Sequence, residues 1–290
     1  MDRQNVGILH PGEMGLSVAA TIQNTGHTVY WVSEGRSPKT RERAEKLNLV
    51  DAHALAHLCE VCSVIVSVCP PEAAEGLAND VLSDGFTGLY LDANAISPQR
   101  AIRIGQAVTD AGGTFVDGGI IGGPAWTPGS TWLYLSGKAA DRAAAYFAAG
   151  PLETRMVSDT IGKASALKMC FAAYTKGTTA LLSAVLATAA SLDVRTELEQ
   201  QWSQNGSNFA AEASQRVRQV TAKAWRFAGE MEEIAATFRE AGLPDGFHLA
   251  AADIYRRMAG FKDALATPAV DEVLQVLIRS TLEDTAHPTS

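Results

Sequence analysis

The 290-residue chain is 47% hydrophobic and 19% charged, an ordinary globular profile with room for two domains and a core that needs no staples. Its 32 acidic residues outnumber 24 basic ones, for a net charge of −8, and no basic block stands out. That argues against nucleic acid as a partner, because neutralising phosphates needs clustered lysine and arginine. Cys59, Cys62, Cys69 and Cys170 are too unevenly spaced for a disulfide framework, which fits a reducing cytosol.

Met1 to Asn5 runs straight into a strand pattern, so no signal peptide is expected and the predicted location is cytoplasmic. Val6–Leu9 reads as a strand, residues 14–25 as a helix and His27–Val32 as a second strand. A charged helix is predicted over 38–46. Ser63–Val68 reads as a buried strand ending at Pro70-Pro71, and Leu89–Asp92, Thr114–Asp117 and Trp132–Ser136 complete the series. Continuous β-branched runs separated by helices predict a parallel sheet covered on both faces. From about 163 to 192 the pattern is one long helix, and 194–264 holds further helices broken at Asn205-Gly206 and Gly242-Leu243-Pro244. Gly177 to Leu192 carries no charge but is shorter than the roughly 20 residues needed to span a bilayer. It reads as a buried helix, so no membrane partner is expected. The tail 285–290 reads as frayed. The predicted organisation is α/β: a doubly wound parallel Rossmann domain over 1–160, then an all-α domain over 161–290 built on the long helix.

The first strand leads into His10-Pro11-Gly12-Glu13-Met14-Gly15 and then a helix. Such a turn binds a pyrophosphate: helix N-terminal amides point at the anion and glycines let the backbone approach it. His10 stands where the first glycine of G-x-G-x-x-G belongs, while Gly12 and Gly15 fill the second and third places. At the end of the second strand, where NAD-binding domains usually place a carboxylate, stands Ser33, followed by Arg36, Ser37, Lys39 and Arg41. A guanidinium with hydroxyls beside it suits the 2′-phosphate of NADP, the expected cofactor over NAD. Glu34, which would serve NAD, is the alternative, and a solvated charged helix start is the plain one. Cys69 and Pro70, where the 63–68 strand ends, join the expected cofactor residues.

The chain resembles the β-hydroxyacid dehydrogenase / 6-phosphogluconate dehydrogenase superfamily in four segments, met in order along the chain. They are Gly12-Glu13-Met14-Gly15 with Gly26-His27-Thr28-Val29 after it; Asp92-Ala93-Asn94-Ala95-Ile96-Ser97-Pro98, similar to D-x-S-T-x-x-P; Asp117-Gly118-Gly119-Ile120-Ile121-Gly122-Gly123, similar to D-A-P-V-S-G-G; and Gly162-Lys163-Ala164-Ser165-Ala166-Leu167-Lys168, similar to G-x-G-x-x-x-K. The stretch from Gly229 through Tyr255 resembles a C-terminal variant found in some members. The resemblance implies a Lys168 that acts as catalytic acid/base and an Asn94 beside the nicotinamide. It places Ile121, Gly122, Gly123, Ala172, Thr175 and Glu230 around the substrate. Departures fall on the lysine motif and on that last group: Ala164 replaces the second glycine of the lysine motif, Ala172 its asparagine, Ile121 the serine of S-G-G, and Gly229-Glu230 a Lys-Asp pair.

Moving a hydride to or from a carbinol carbon leaves an oxygen that must gain or lose a proton, and a positioned acid/base contributes roughly 10²–10⁴-fold. Lys168 sits among Leu167, Met169, Phe171 and Ala172, and burial there would lower its pKa toward that task. The plain alternative is a snorkelling or paired lysine. Thr175 replaces part of the missing asparagine's hydrogen bonding, or is satisfied by its own helix. Gly122 and Gly123 present amides to a substrate anion, or form a tight turn. Asn94 is otherwise a turn residue and Glu230 an exposed helix carboxylate.

His53, His57, Cys59 and Cys62 include a C-x-x-C, but Leu55, Leu58 and Val61 give this stretch a core-facing stripe, so no metal is expected. Trp202, Phe209, Trp225 and Phe227 read as packing rather than a base-stacking platform. The resulting expectation is an NADP-dependent oxidoreductase acting on a small, anionic hydroxy acid or its carbonyl counterpart, assembled as a homodimer. An imine reductase, whose relatives often lack the lysine, and a non-catalytic dinucleotide-binding protein are the competing readings.

Overall fold

Alternation of side chains along short strands builds two cores, one on each face of a single sheet. The computed structural model describes residues 2–262 and 264–285, and its contacts divide into two compact units, Met1–Met169 and Cys170–Ser290. In the first unit β1 (Asn5–Ile8), α1 (Glu13–Asn24), β2 (Thr28–Trp31), α2 (Pro38–Lys46), β3 (Val50–Asp51), α3 (Leu55–Val61), β4 (Val64–Ser67), α4 (Ala74–Ser83), β5 (Leu89–Asp92) and α5 (Pro98–Asp110) alternate. Then follow β6 (Thr114–Gly122), β7 (Thr131–Ser136), α6 (Ala140–Ala144) and β8 (Glu153–Ser158). The strand order is β3-β2-β1-β4-β5-β6-β7-β8. Val6, Ile8, Val64, Val66 and Leu91 pack on one face with Val18 and Ile22 of α1. Ile65, Tyr90 and Phe115 pack on the other with Leu58, Val81, Ile104 and Val108 of α3, α4 and α5. This period of two, with both faces covered, is why the strands read as unbroken apolar runs.

The sheet differs from the expected series at four strands. β7 runs antiparallel to β6, because an eight-residue loop folds β6 straight back as a hairpin, and periodicity carries no strand direction. β8 was not expected, nor was the two-residue β3: β8 is a largely exposed edge strand without apolar alternation. β6 continues five residues past Asp117 through Gly118 and Gly119, which break the apolar pattern. Gly119 is required there, since a Cβ would lie 2.7 Å from the Ala164 carbonyl oxygen.

α7 (Lys163–Ser191) starts in the first unit and ends in the second. The second unit adds α8 (Arg195–Trp202), α9 (Phe209–Glu240), α10 (Gly246–Arg257) and α11 (Val270–Thr285). The expected breaks are left-handed residues, Asn205 at φ 58° and Gly206 at φ 75° before α9, and Gly242 at φ 76° after it. α9 buries Val217, Thr221, Ala224, Ala228, Met231 and Ile234, a helical stripe, and α9 packs against α10 and α11. The 177–192 segment, expected to be buried, is covered on one side only: Leu186 is buried while Leu181 and Leu192 are 49% and 65% exposed. Apolar residues ring this part of the helix, and one chain covers only part of the circumference. The tail 286–290 lies outside the described residues.

The contact that sets α7 on the sheet is the Asp117 carboxylate. Its Oδ2 accepts from the amides of Gly162 (2.9 Å), Ala164 (3.1 Å) and Ser165 (3.1 Å) and from Ser136 Oγ (2.7 Å). Oδ1 accepts from Ser165 Oγ at 2.6 Å. A buried acid thereby satisfies the orphan amides of a helix N-terminus and meets its positive dipole end. Asp117→Ala would leave these donors buried and unpaired, so it should lower unfolding stability by about 3–5 kcal/mol in urea titrations. A loss below about 1 kcal/mol would show that the cap is dispensable.

Candidate active site

At the C-terminal end of β1 the chain turns through His10, which is left-handed at φ 82°, the conformation that glycine adopts most easily. The Gly12 amide donates to the His10 carbonyl at 2.8 Å, and Gly12 begins α1 with no side chain capping it. The first-turn amides are thus left for an anion. Gly15 admits no side chain: a Cβ would stand 2.2 Å from the His10 carbonyl oxygen. At Gly12 nothing lies within 4 Å of that position, so the backbone is open. Pro11 is buried, Met14 packs partly on the core, and the exposed Glu13 pairs with Arg43 at 3.2 Å. The Ser17 hydroxyl donates to the Met14 carbonyl and accepts from the Ala125 amide, each at 2.9 Å. It ties this turn to the β6–β7 loop.

At the end of β2, Ser33 is buried and Glu34 exposed, as neighbours on an extended chain face opposite ways. The Ser33 amide donates to the Asp51 carboxylate, at 3.2 Å from Oδ1. The Ser33 carbonyl accepts from Arg41 Nη2 at 2.6 Å. Ser37 caps α2, its hydroxyl accepting from the Thr40 amide at 3.3 Å. Arg36 is half-buried, and its Nε has no hydrogen-bond partner although fully enclosed. Burial opposes its charge. His10 Nδ1 is enclosed and unpartnered as well. Burial and then the Arg36 charge pull the His10 pKa down to about 4, so the ring is neutral near pH 7.

Asn94, just after β5, holds two loops. Its Oδ1 accepts from the Cys69 amide at 2.5 Å and its Nδ2 donates to Ser67 Oγ at 3.0 Å. Its own amide donates to Asp92 Oδ1 at 2.9 Å. The Asn94 side chain, expected beside the nicotinamide, thus fixes the half-buried Cys69–Pro70 segment. Asp92 is buried, and its Oδ2 is unpartnered. Burial, opposed by the bond from Asn94 and reinforced by the Asp117 charge, pushes its carboxyl up to about 7.

Lys168 belongs to the first unit. The Asp117 cap lies at the start of its helix, and α7 approaches β6 so closely that a Cβ on Gly119 would be 3.0 Å from Lys168 Cβ. β6 then leads through buried Ile121 to the exposed Gly122 and Gly123. Gly122 is at φ 130°, with Ser130 and Thr131 filling its Cβ position; the Gly123 carbonyl accepts from Thr131 Oγ1 at 2.7 Å. The apolar surroundings expected of Lys168 are only partly present. It is half-buried, Met169 and Ala172 are buried, but Leu167 and Phe171 are exposed, pointing away from the packed side of the helix.

The second-unit candidates are engaged within that unit. Ala172 is buried. The Thr175 hydroxyl donates to the Phe171 carbonyl at 3.1 Å, the own-helix alternative. Glu230, far from being an exposed helix carboxylate, is buried and meets Lys176 Nζ at 2.8 Å, with that ammonium 4.7 Å above the Phe227 ring. Sequence reasoning missed Lys176 as this partner, and it missed the Asp51 and Ser17 contacts; β3 is too short for periodicity to reveal. In the C-x-x-C stretch Cys59 and Cys62 are buried while His53 and His57 lie at the surface beside Asp51 and Glu60. Trp202 packs edge-on against Phe209, and Phe227 against Tyr255.

Residues 5–146 match the family described as the NAD binding domain of 6-phosphogluconate dehydrogenase, and residues 189–258 match a domain of unknown function (DUF1932). An uncharacterised 28.5 kDa protein of Methanothermus fervidus is 30% identical over 166 residues, 57% of this chain and 63% of that protein. This chain thus spans less than two thirds of that relative's length. The fold is shared with 3-hydroxyisobutyrate dehydrogenase of Mycobacterium tuberculosis (TM-score 0.69, 17% identity, 95% of this chain and 99% of that one). It is shared too with an imine reductase of Streptomyces aurantiacus (TM-score 0.52, 17% identity, 94% and 99%).

Asp92 makes stability pH-dependent. Its folded pKa, about 7, lies above its ordinary 3.8. Stability is therefore full below the lower value and is lost as pH rises through the upper one. Melting curves between pH 4.5 and 8 should show Asp92→Asn gaining on the wild type as pH rises. A wild-type-to-variant difference that stays constant across this range would mean that Asp92 is charged throughout.

Proposed function

The chain belongs to the β-hydroxyacid dehydrogenase / 6-phosphogluconate dehydrogenase superfamily, and from that premise we propose an NADP-dependent oxidoreductase acting on a small hydroxy acid or its carbonyl counterpart. The observation that carries the reading is the placement of Lys168. The Asp117 cap and the absent side chain of Gly119 lay it against β6, in the unit that holds the dinucleotide turn. The turn fits a dinucleotide because Gly15 leaves no room for a Cβ, the first amides of α1 are uncapped, and enclosed polar atoms of His10 and Arg36 lack partners.

When bound, the nicotinamide supplies or accepts the hydride. Gly12 and the first turn of α1 hold the pyrophosphate, and Asn94 positions the loop at Cys69 and Pro70. Lys168 gives a proton to, or takes one from, the substrate oxygen. The exposed backbone at Gly122 and Gly123 receives the substrate carboxylate. NADP is favoured because Ser33 replaces the ribose-binding acid, Glu34 faces solvent, and Arg36 makes no ion pair among the described residues. The buried free thiols of Cys59 and Cys62 suit the cytoplasm.

Lys168→Ala should cut turnover by roughly two or more orders of magnitude while NADPH affinity, tighter than that for NADH, barely moves. Substrates for this assay are NADPH with aldehydes, keto acids and imines. Near-normal turnover in the variant would remove Lys168 from the chemistry. Turnover on imines alone would favour an imine reductase, and none on any class a binding protein.

The second unit leaves Leu181, Leu192 and Phe247 about half exposed or more around a groove that Ala180, Ile254 and Leu277 also line. Contiguous apolar surface of this kind, on a chain with no helix long and apolar enough to cross a membrane among the described residues, supports a homodimer. Sedimentation at micromolar concentration should give about twice the 30.7 kDa chain mass. A stable monomer would contradict it.

A further inference from the structure

His10 occupies a backbone position that glycine fills without strain, yet it carries a large polar ring there. The ring Nδ1 is enclosed without a partner, and so is Arg36 Nε. His10 and Arg36 follow the ends of the neighbouring parallel strands β1 and β2, in which Ile8 stands opposite Trp31, and the Arg36 charge adds to burial in disfavouring protonation of His10. A guanidinium beside an imidazole, both with unsatisfied polar atoms, is an arrangement that an anion placed between them would complete.

The surrounding groups do not complete it. Cys69, after β4, also feels the Arg36 charge, but burial pushes its thiol up to about 12, so it carries no charge near neutral pH. Glu13 of α1 is turned to Arg43 of α2, and Glu34 is exposed. Asp51 is engaged with Ser33 and His53. No carboxylate among these described residues pairs with Arg36.

We propose that the His10 imidazole and the Arg36 guanidinium form a two-armed clamp for the 2′-phosphate of NADP(H), which makes His10 a specificity-determining residue as well as a turn residue. This rests on the NADP reading above. The ring donates a hydrogen bond to a phosphate oxygen, and the phosphate offsets the charge of Arg36. NAD, with a free ribose diol, offers no such partner, so the clamp favours the phosphorylated cofactor.

The test is titration of NADPH and of NADH, by nucleotide fluorescence, into wild type, His10→Gly, His10→Asn and Arg36→Ala, with a melting curve for each unliganded protein. Glycine relaxes the left-handed backbone, so His10→Gly should melt no lower than wild type. Its NADPH dissociation constant should rise about 10-fold or more while that for NADH changes less than about twofold. Asparagine tolerates the left-handed conformation and keeps a donor, so it should recover part of the NADPH affinity. Equal weakening of both cofactors by His10→Gly, or no weakening, overturns the clamp. If Arg36→Ala still weakens NADPH selectively in that case, the NADP reading stands and only the role of His10 falls. A wild type that prefers NADH, or an Arg36→Ala that weakens both cofactors equally, overturns the NADP reading and the clamp with it.

Discussion

The buried carboxylate of Asp117 is the constraint on which the site depends. It lies on β6, and five hydrogen bonds bring the first turn of α7 and Ser136 of β7 to it. A carboxylate deprived of water needs such donors, and a helix start deprived of water needs such an acceptor. The mutual need sets the register of α7 against the sheet. Gly119, two residues on, lets the helix close until Lys168 Cβ meets the strand. Lys168 is thus positioned by the sheet, though it is carried by a helix.

The cofactor end of the same unit obeys the opposite rule. There the protein leaves polar atoms unsatisfied: His10 Nδ1, Arg36 Nε and the uncapped amides of α1. Enclosed polar atoms without partners cost free energy, which a bound ligand or water offsets. The loops around them are well tied. Asn94 joins the ends of β4 and β5, and Ser17 joins the turn to the β6–β7 loop. Under the proposed function, rigid surroundings and unsatisfied centres leave little ordering to be done when the dinucleotide arrives.

The second unit follows a different logic. Its long helix α9 uses a stripe of buried residues to pack on α10 and α11. It also encloses an ion pair between Lys176 and Glu230, with Tyr255 Oη donating to the Lys176 carbonyl at 2.8 Å. Buried charges of this kind persist only when paired. Glu230 therefore has a partner inside the unit, a lysine supplied from α7.

Much of this was legible in the chain alone, for a physical reason: strands and helices write their periods into the apolar residues, and tight turns write theirs into glycine. The bounds of α2 and α7, the turn from His10 to Gly15, and the breaks at Asn205-Gly206 and Gly242 were all readable that way. Contacts between distant segments leave no such period. That Asn94 grips Cys69, that Ser17 reaches Ala125, that Asp51 holds Ser33 and that Lys176 answers Glu230 were decided by tertiary structure. The same holds for the reversed direction of β7, the exposed edge strand β8 and the half-covered α7. Direction, edge position and cover depend on what lies alongside, and a local pattern of residues records only which faces are apolar.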